Sequence, residues 1–318
     1  VPDAAEHPLL PVALAALEHY PLDVTAIEPL ADQTNALFRI RTSNLGTRVL
    51  RVGVGGAVRH PASVIESEMM FLEALGSETD IAAPHPTRNR SGALVTLVPD
   101  PDTGETRTCV VFSWMPGLVL ATALSAEAME QFGRTAAALH RFGVAFRPPI
   151  GFTIPRYASA FPYDRPVVLF DSPLVGEAVR RRCRAMAGKV EEAIERLAQR
   201  EKPGIIHGDL YAWNAMLHEG TVGLFDFEEM LWGWPVQDVA GTFFTLWQHP
   251  QLEDFFVAYR RGYETIGEWP ERVPGEITMF MAARSLMLAN DVLLQPEWQH
   301  EVAEILGEAM DRFDLALS

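Results

Sequence analysis

Cysteine is almost absent: Cys109 and Cys183 are the two in 318 residues, too few and too far apart for a disulfide framework or a zinc knuckle. A reducing, cytoplasmic setting is the expectation. The first residues, Val1-Pro2-Asp3-Ala4-Ala5-Glu6, lack the basic segment and apolar run of a secretory signal. An unbroken apolar run of membrane length is missing as well. The nearest approach is 277–294, which Arg284, Asn290 and Asp291 interrupt, so it reads as a buried helix. Positive charge is also short: 26 Lys plus Arg against 42 Asp plus Glu leave a net −16. That balance repels nucleic-acid phosphates and anionic membranes, and favours a cationic small molecule. There are no internal repeats or low-complexity segments. With 48% hydrophobic and 21% charged residues, the composition is that of a globular chain long enough for one large or two ordinary domains.

What is present divides into two halves. After a short helix over 12–19, residues 24–52 read as strands separated by turns, with Asn44-Leu45-Gly46 as a turn signal. Over 63–75 the apolar residues Ile65, Met69, Phe71, Leu72 and Leu75 share a helical face. Strands are expected at 93–98 and 108–114. Met115-Pro116-Gly117 then stops regular structure and sets the boundary between an N-terminal region, 1–114, and a C-terminal region, 115–318. Helical patterns dominate beyond it, at 125–142 with Ser125 as N-cap, at 177–199, at 238–266 and at 275–316, interrupted by short strands near Ile205, Met216 and Leu224. The run Arg180-Arg181-Arg182 with Arg184 reads as a solvated helix face.

The chemistry is concentrated in 204–228. An apolar strand leads into His207-Gly208-Asp209, a polar loop reaches Asn214, and a strand returns through a Glu219-Gly220 turn to Asp226-Phe227-Glu228. Phosphoryl transfer needs one carboxylate to orient the attacking hydroxyl and take its proton, and oxygen ligands to hold magnesium against nucleotide phosphates. Asp209 suits the first role, and Asn214 with Asp226 the second. His207 suits a structural role, holding the loop backbone.

His-x-Asp, then four residues and Asn, then Asp-Phe after a short hairpin is an altered form of the protein-kinase catalytic pattern. With Gly208 in place of the kinase arginine, it resembles the aminoglycoside phosphotransferase and choline kinase group. The stretch Gly233-Trp234-Pro235-Val236-Gln237-Asp238-Val239-Ala240 resembles that group's segment following the magnesium aspartate. The resemblance implies that Asp238 braces the catalytic loop. It also implies that Arg51, on the strand 47–52, contacts nucleotide phosphates in place of the usual lysine, with Glu68 on the next helix as its partner. A glycine-free loop from Leu30 through Thr34 and Asn35 would cover the phosphates, and Phe112-Ser113-Trp114-Met115 would be the connector that reads the adenine edge. Arginine binds phosphate bidentately, but its fork does not duplicate an ammonium. Gly133 to His140 resembles the helix packed behind the loop, with His140 structural.

The reading is therefore an α+β, protein-kinase-like two-lobed fold: a small antiparallel-sheet N-terminal lobe and a larger, mainly helical C-terminal lobe, with ATP and magnesium between them. The expected activity is direct transfer of phosphate to a hydroxyl of a small molecule, such as an aminoglycoside-like antibiotic or an amino alcohol. A protein kinase is disfavoured because Glu228 replaces the glycine after Asp-Phe and no Ala-Pro-Glu closes an activation loop. A catalytically silent nucleotide-binding regulator is the non-enzyme alternative, disfavoured because Asp209, Asn214 and Asp226 are all present. Trp213, Trp232, Trp234 and Trp247 are candidates for a cage around a quaternary ammonium, with packing as the plainer alternative.

Overall fold

Three consecutive antiparallel strands organise the first part of the chain, and the middle one alternates buried with partly buried residues over 35–40. The computed structural model describes residues 7–32, 35–54 and 60–317. Helix α1 (Leu10–Leu17) begins with Pro11 in its first turn, where the missing N–H costs nothing. It is followed by β1 (Val24–Asp32), β2 (Asn35–Thr42), β3 (Gly46–Gly53), α2 (Ala62–Glu78), β4 (Thr96–Pro99) and β5 (Thr106–Ser113). The strands form one antiparallel sheet in the order β1-β2-β3-β5-β4. Phe38, Ile40, Leu50, Val52 and Val111 face the same way and pack with Val12, Ala13 and Ala16 of α1 in one core cluster. Because neighbouring strand residues point to opposite faces, Arg51 is presented on the other side, toward Glu68 of α2.

The second part starts with β6 (Leu118–Val119) and α3 (Ala126–Ala145), and Ser125 caps α3 by accepting from Ala128 N–H at 3.1 Å. Then come α4 (Glu177–Arg200), β7 (Gly204–Ile206), β8 (Ala215–His218), β9 (Thr221–Leu224), β10 (Leu231–Gly233), α5 (Pro235–Phe244), α6 (Leu252–Glu264), α7 (Glu276–Leu293) and α8 (Val302–Leu317). Strand β8 pairs with both β6 and β9, and β7 pairs with β10. Glu219 and Gly220, both at positive φ, close the β8–β9 hairpin, as a two-residue hairpin loop requires. Helices α3 and α6 cross with main chain against main chain. A Cβ on Gly133 would lie 2.8 Å from the Tyr259 carbonyl carbon, and one on Gly262 would lie 2.7 Å from that of Glu130.

The fold class expected from the sequence, α+β with a small antiparallel sheet and a larger helical part, is the one observed. The chain divides into two compact units. One contains residues 1–116 and 148–153, the other 117–147 and 154–318. Thr153 N–H donates to Ser67 Oγ at 2.8 Å, which ties the inserted segment to α2. Two long helical expectations are corrected. The stretch 238–266 is two helices, α5 and α6, broken before Pro250, and 275–316 is α7 and α8, broken around Pro296, because proline lacks the N–H and clashes with the preceding turn. The strand expected at 93–98 begins at Thr96, since Asn89 Oδ1 holds 89–93 in a turn by accepting from Ser91 N–H and Ala93 N–H. Both cysteines are buried and free. No helix among the described residues is long and apolar enough to cross a membrane.

Candidate functional site

In the first unit, Arg51 and Glu68 form a buried bidentate pair: Nη1 lies 3.0 Å from Oε1, and Nη2 bonds Oε2. The guanidinium also lies 5.3 Å from the centre of the Phe112 ring, a cation–π distance. Asn35 begins β2 opposite Gly53. Ser113 N–H donates to His85 C=O at 2.9 Å, its Oγ accepts from His85 N–H at 2.9 Å, and Trp114 N–H donates to Thr47 C=O at 3.3 Å. Met115 follows as irregular chain. Thr34 lies outside the described residues.

The second unit gathers the loop residues. Strand β7 delivers His207 and Gly208, whose N–H groups both donate to the Asp238 carboxylate at 2.8 Å. Asp238 sits in the first turn of α5, where the helix dipole favours an anion. Burial works against its charge. Hydrogen bonds from His140 and from the His207 N–H nevertheless hold its carboxyl below the usual range. His140, on α3, bridges Asp238 Oδ2 at 3.1 Å and Tyr263 OH at 2.9 Å.

His207 fixes the loop from the other side. Its Nε2 donates to Phe225 C=O at 3.0 Å, and its Nδ1 accepts the Asp209 N–H at 3.3 Å. Burial lowers its pKa and keeps the ring neutral, the state those two bonds require. Gly208 has φ +80°, and a Cβ there would fall 2.9 Å from the Glu229 carbonyl carbon and nearer still to its oxygen. Glycine is the residue that meets both demands.

Asp209 and Asn214 are in contact: Asn214 Nδ2 donates to Asp209 Oδ2 at 2.9 Å and to its carbonyl at 3.0 Å. Asp226 reaches the same end of the hairpin by register. Ala215 pairs with Leu224, and Phe225 N–H donates to Asn214 C=O at 3.0 Å. Its φ of 65° is left-handed, a region aspartate tolerates better than most residues with a Cβ. Among the described residues no three His, Cys, Asp or Glu side chains form a metal cluster. The donors at this end are an amide and a carboxylate, oxygen ligands that suit a hard cation sharing its shell with water and phosphate.

Beside Asp209 lies a second group of residues, of which Arg284, Arg165, Tyr163 and Glu229 have no functional role in the sequence reading. Arg284 of α7 donates from Nη1 to Gly208 C=O at 2.9 Å and from Nη2 to Asp209 Oδ1. Arg165 bridges Glu229 at 2.8 Å and Asp291 at 2.7 Å, and Tyr163 OH donates to Glu229 C=O at 2.9 Å. The available signal was an arginine inside the apolar stretch 277–294, because a charge in such surroundings needs a partner. Of the tryptophans, Trp234 is buried and donates to Glu201 C=O at 3.2 Å, while Trp247 faces the Arg312 guanidinium at 5.5 Å.

Residues 25–274 match the family model APH, described as a phosphotransferase enzyme family. The chain belongs to that family. Solved structures of similar fold include a microcompartment-associated aminopropanol kinase, with TM-score 0.74, 22% identity and 96% of each chain covered. An amicoumacin kinase in complex with AMP-PNP, Ca2+ and amicoumacin has TM-score 0.78 and 17% identity, covering 97% of this chain and 95% of that one. The GDP complex of a wild-type aminoglycoside 2′-phosphotransferase-IIIa has TM-score 0.64 and 16% identity, covering 94% of this chain and 97% of that one. At these identities the likeness establishes the kinase-like fold of the family. No curated protein matches the chain in sequence. Family membership makes the chain a phosphotransferase, and the loop just described occupies the matched region.

Proposed function

We propose that this phosphotransferase moves the γ-phosphoryl group of ATP directly to a hydroxyl of a small molecule, with Asp209 as general base. The observation that carries the reading is the Asp209 carboxylate, held by Asn214 Nδ2 on a loop whose backbone is fastened to Asp238. The acceptor oxygen attacks the γ-phosphorus, its proton passes to the Asp209 carboxylate, and the bond from phosphorus to the ADP oxygen breaks. No covalent phosphoenzyme is formed. Asn214 Oδ1 and the Asp226 carboxylate are the residues that would hold magnesium, which supplies charge neutralisation to the nucleotide phosphates when bound. In the first unit, Arg51, steadied by Glu68, is the phosphate contact, and Asn35 with the 113–115 segment supplies further nucleotide contacts.

The acceptor is proposed to be a cation, such as an amino alcohol or an aminoglycoside. The net −16 supports this, as do the amine-bearing compounds named for two of the structural neighbours, aminopropanol and aminoglycoside. An acidic chain concentrates a cation and steers its encounter, and salt screens that steering. The test is nucleotide consumption across a panel of amino alcohols, aminoglycosides, hydroxy amino acids and sugars. The expected result is turnover with a cationic member, with a kcat/KM that falls as ionic strength rises. Asp209→Ala should lose about 10²–10⁴-fold in turnover, the range for a general base, while still binding an ATP analogue. Wild-type turnover by Asp209→Ala would remove Asp209 from the mechanism, and a flat salt profile with a neutral acceptor would refute the cationic assignment.

A further inference from the structure

Arg284 lies in the middle of α7, flanked by the buried Ala282, Ala283 and Leu286. It comes 75 residues after the aspartate it touches. Its guanidinium grips two consecutive residues of the loop, the Gly208 carbonyl at 2.9 Å and Asp209 Oδ1. Asn214 holds the other carboxylate oxygen, Oδ2, at 2.9 Å.

An aspartate carboxylate turns in a broad, roughly two-fold well about its last torsion. One hydrogen bond leaves that rotation open, whereas two anchors on different oxygens fix the plane. Transfer requires reacting atoms about 3–3.5 Å apart and aligned, and a misplacement of about 1 Å can cost roughly 100-fold. Stability alone gives this half-buried pair little rationale, because exposed ion pairs contribute about 0–1 kcal/mol and buried ones are often no better than apolar residues of similar volume.

We infer that Arg284 is a positioning residue for the base, setting the plane of the Asp209 carboxylate from α7 while Asn214 sets it from the loop. The inference rests on the reading of Asp209 as the base. It is tested by steady-state kinetics of Arg284→Met, Arg284→Lys, Asp209→Asn and the Asp209→Asn/Arg284→Met double variant. The reaction is magnesium-ATP with 1-amino-2-propanol, and slow transfer to water is the second readout. Arg284→Met should lower kcat about 100-fold in both reactions with KM values within about twofold, following the misplacement cost above. Arg284→Lys, which retains one point of attachment, should recover part of the loss. The double variant should be no slower than Asp209→Asn alone.

Undiminished kcat in Arg284→Met, or losses that multiply in the double variant, would overturn the inference. A melting temperature that collapses while kcat and KM worsen together would likewise reduce Arg284 to a structural bolt. Should Arg284→Met not fold, Arg284→Lys decides: full wild-type kcat with a lowered melting temperature counts against positioning, and reduced kcat with unchanged KM supports it. Substantial turnover in Asp209→Asn would instead defeat the base assignment itself, a result separable from failure at Arg284.

Discussion

Gly208→Ala puts the loop geometry to a quantitative test. The residue holds φ +80°, and moving an L-residue into the left-handed region costs about 1–2 kcal/mol. The new Cβ would stand 2.9 Å from the Glu229 carbonyl carbon and 3.1 Å from Leu231 Cδ2, and overpacking of that kind adds about 1–3 kcal/mol. The Glu229 carbonyl has little freedom to retreat, because Tyr163 OH bonds it at 2.9 Å. Losing that bond costs about 1 kcal/mol more. The sum is about 3–6 kcal/mol. At roughly 2–4 °C per kcal/mol for a unit of this size, the melting temperature should drop by about 6–24 °C. Differential scanning calorimetry of wild type and variant reads this directly, and a parallel turnover assay should show a loss, since Asp209 is the next residue. A melting temperature within about 2 °C of wild type, less than 1 kcal/mol would produce, would show that the loop accommodates a side chain, and the steric argument for glycine would fail.

Calorimetric titration with magnesium and a non-hydrolysable ATP analogue should show Asp226→Ala weakening binding more than Asn214→Ala, because a carboxylate adds charge to its oxygen ligand; unchanged affinity in both variants would refute the metal assignment. Arg51→Met should raise the nucleotide KM and lower stability by about 3–5 kcal/mol, the cost of removing one partner of a buried ion pair; Arg51→Lys should recover part of both. His207 is neutral in the fold because burial lowers its pKa. Below about pH 6.5 the unfolded chain therefore binds a proton that the folded His207 excludes, and stability falls with decreasing pH by up to about 1.4 kcal/mol per unit until the lowered folded pKa is reached. Urea denaturation from about pH 7.5 to 5, a range spanning the ordinary histidine pKa, should show a shallower decline for His207→Gln, and identical slopes would refute the assignment.

The elements legible in the sequence were those whose signal is local. The partial alternation in β2, the turn signal before β3, the Ser125 cap and the Asp209 to Asp226 spacing are each written within a few residues. What escaped depends on contacts between distant segments. Arg284 reads along the chain as an interruption of an apolar run, and its partner sits 75 residues away. Tyr163 and Arg165 lie in a segment without periodicity, and Tyr157 at its start is placed by main-chain bonding to Trp232 at 2.8 Å. The same limit explains residues 148–153, whose membership of the first unit rests on packing that no motif announces. The helix breaks at Pro250 and Pro296 were within reach of local rules, and there the apolar patterns on either side outweighed a single proline.

The crossing of α3 and α6 has a consequence for the tolerance of the whole assembly. A side chain that separates two helices can change rotamer and absorb an error, whereas main chain resting on main chain is a hard stop. Gly133 occupies such a stop, and His140, seven residues and two helical turns further along, shares its face. The phase of α3, and with it the aim of His140 at Asp238, is thus set by atoms that mutation elsewhere cannot adjust. An error introduced at Gly133 would therefore be passed along α3 to His140 and the Asp238 carboxylate that holds the His207 and Gly208 N–H groups.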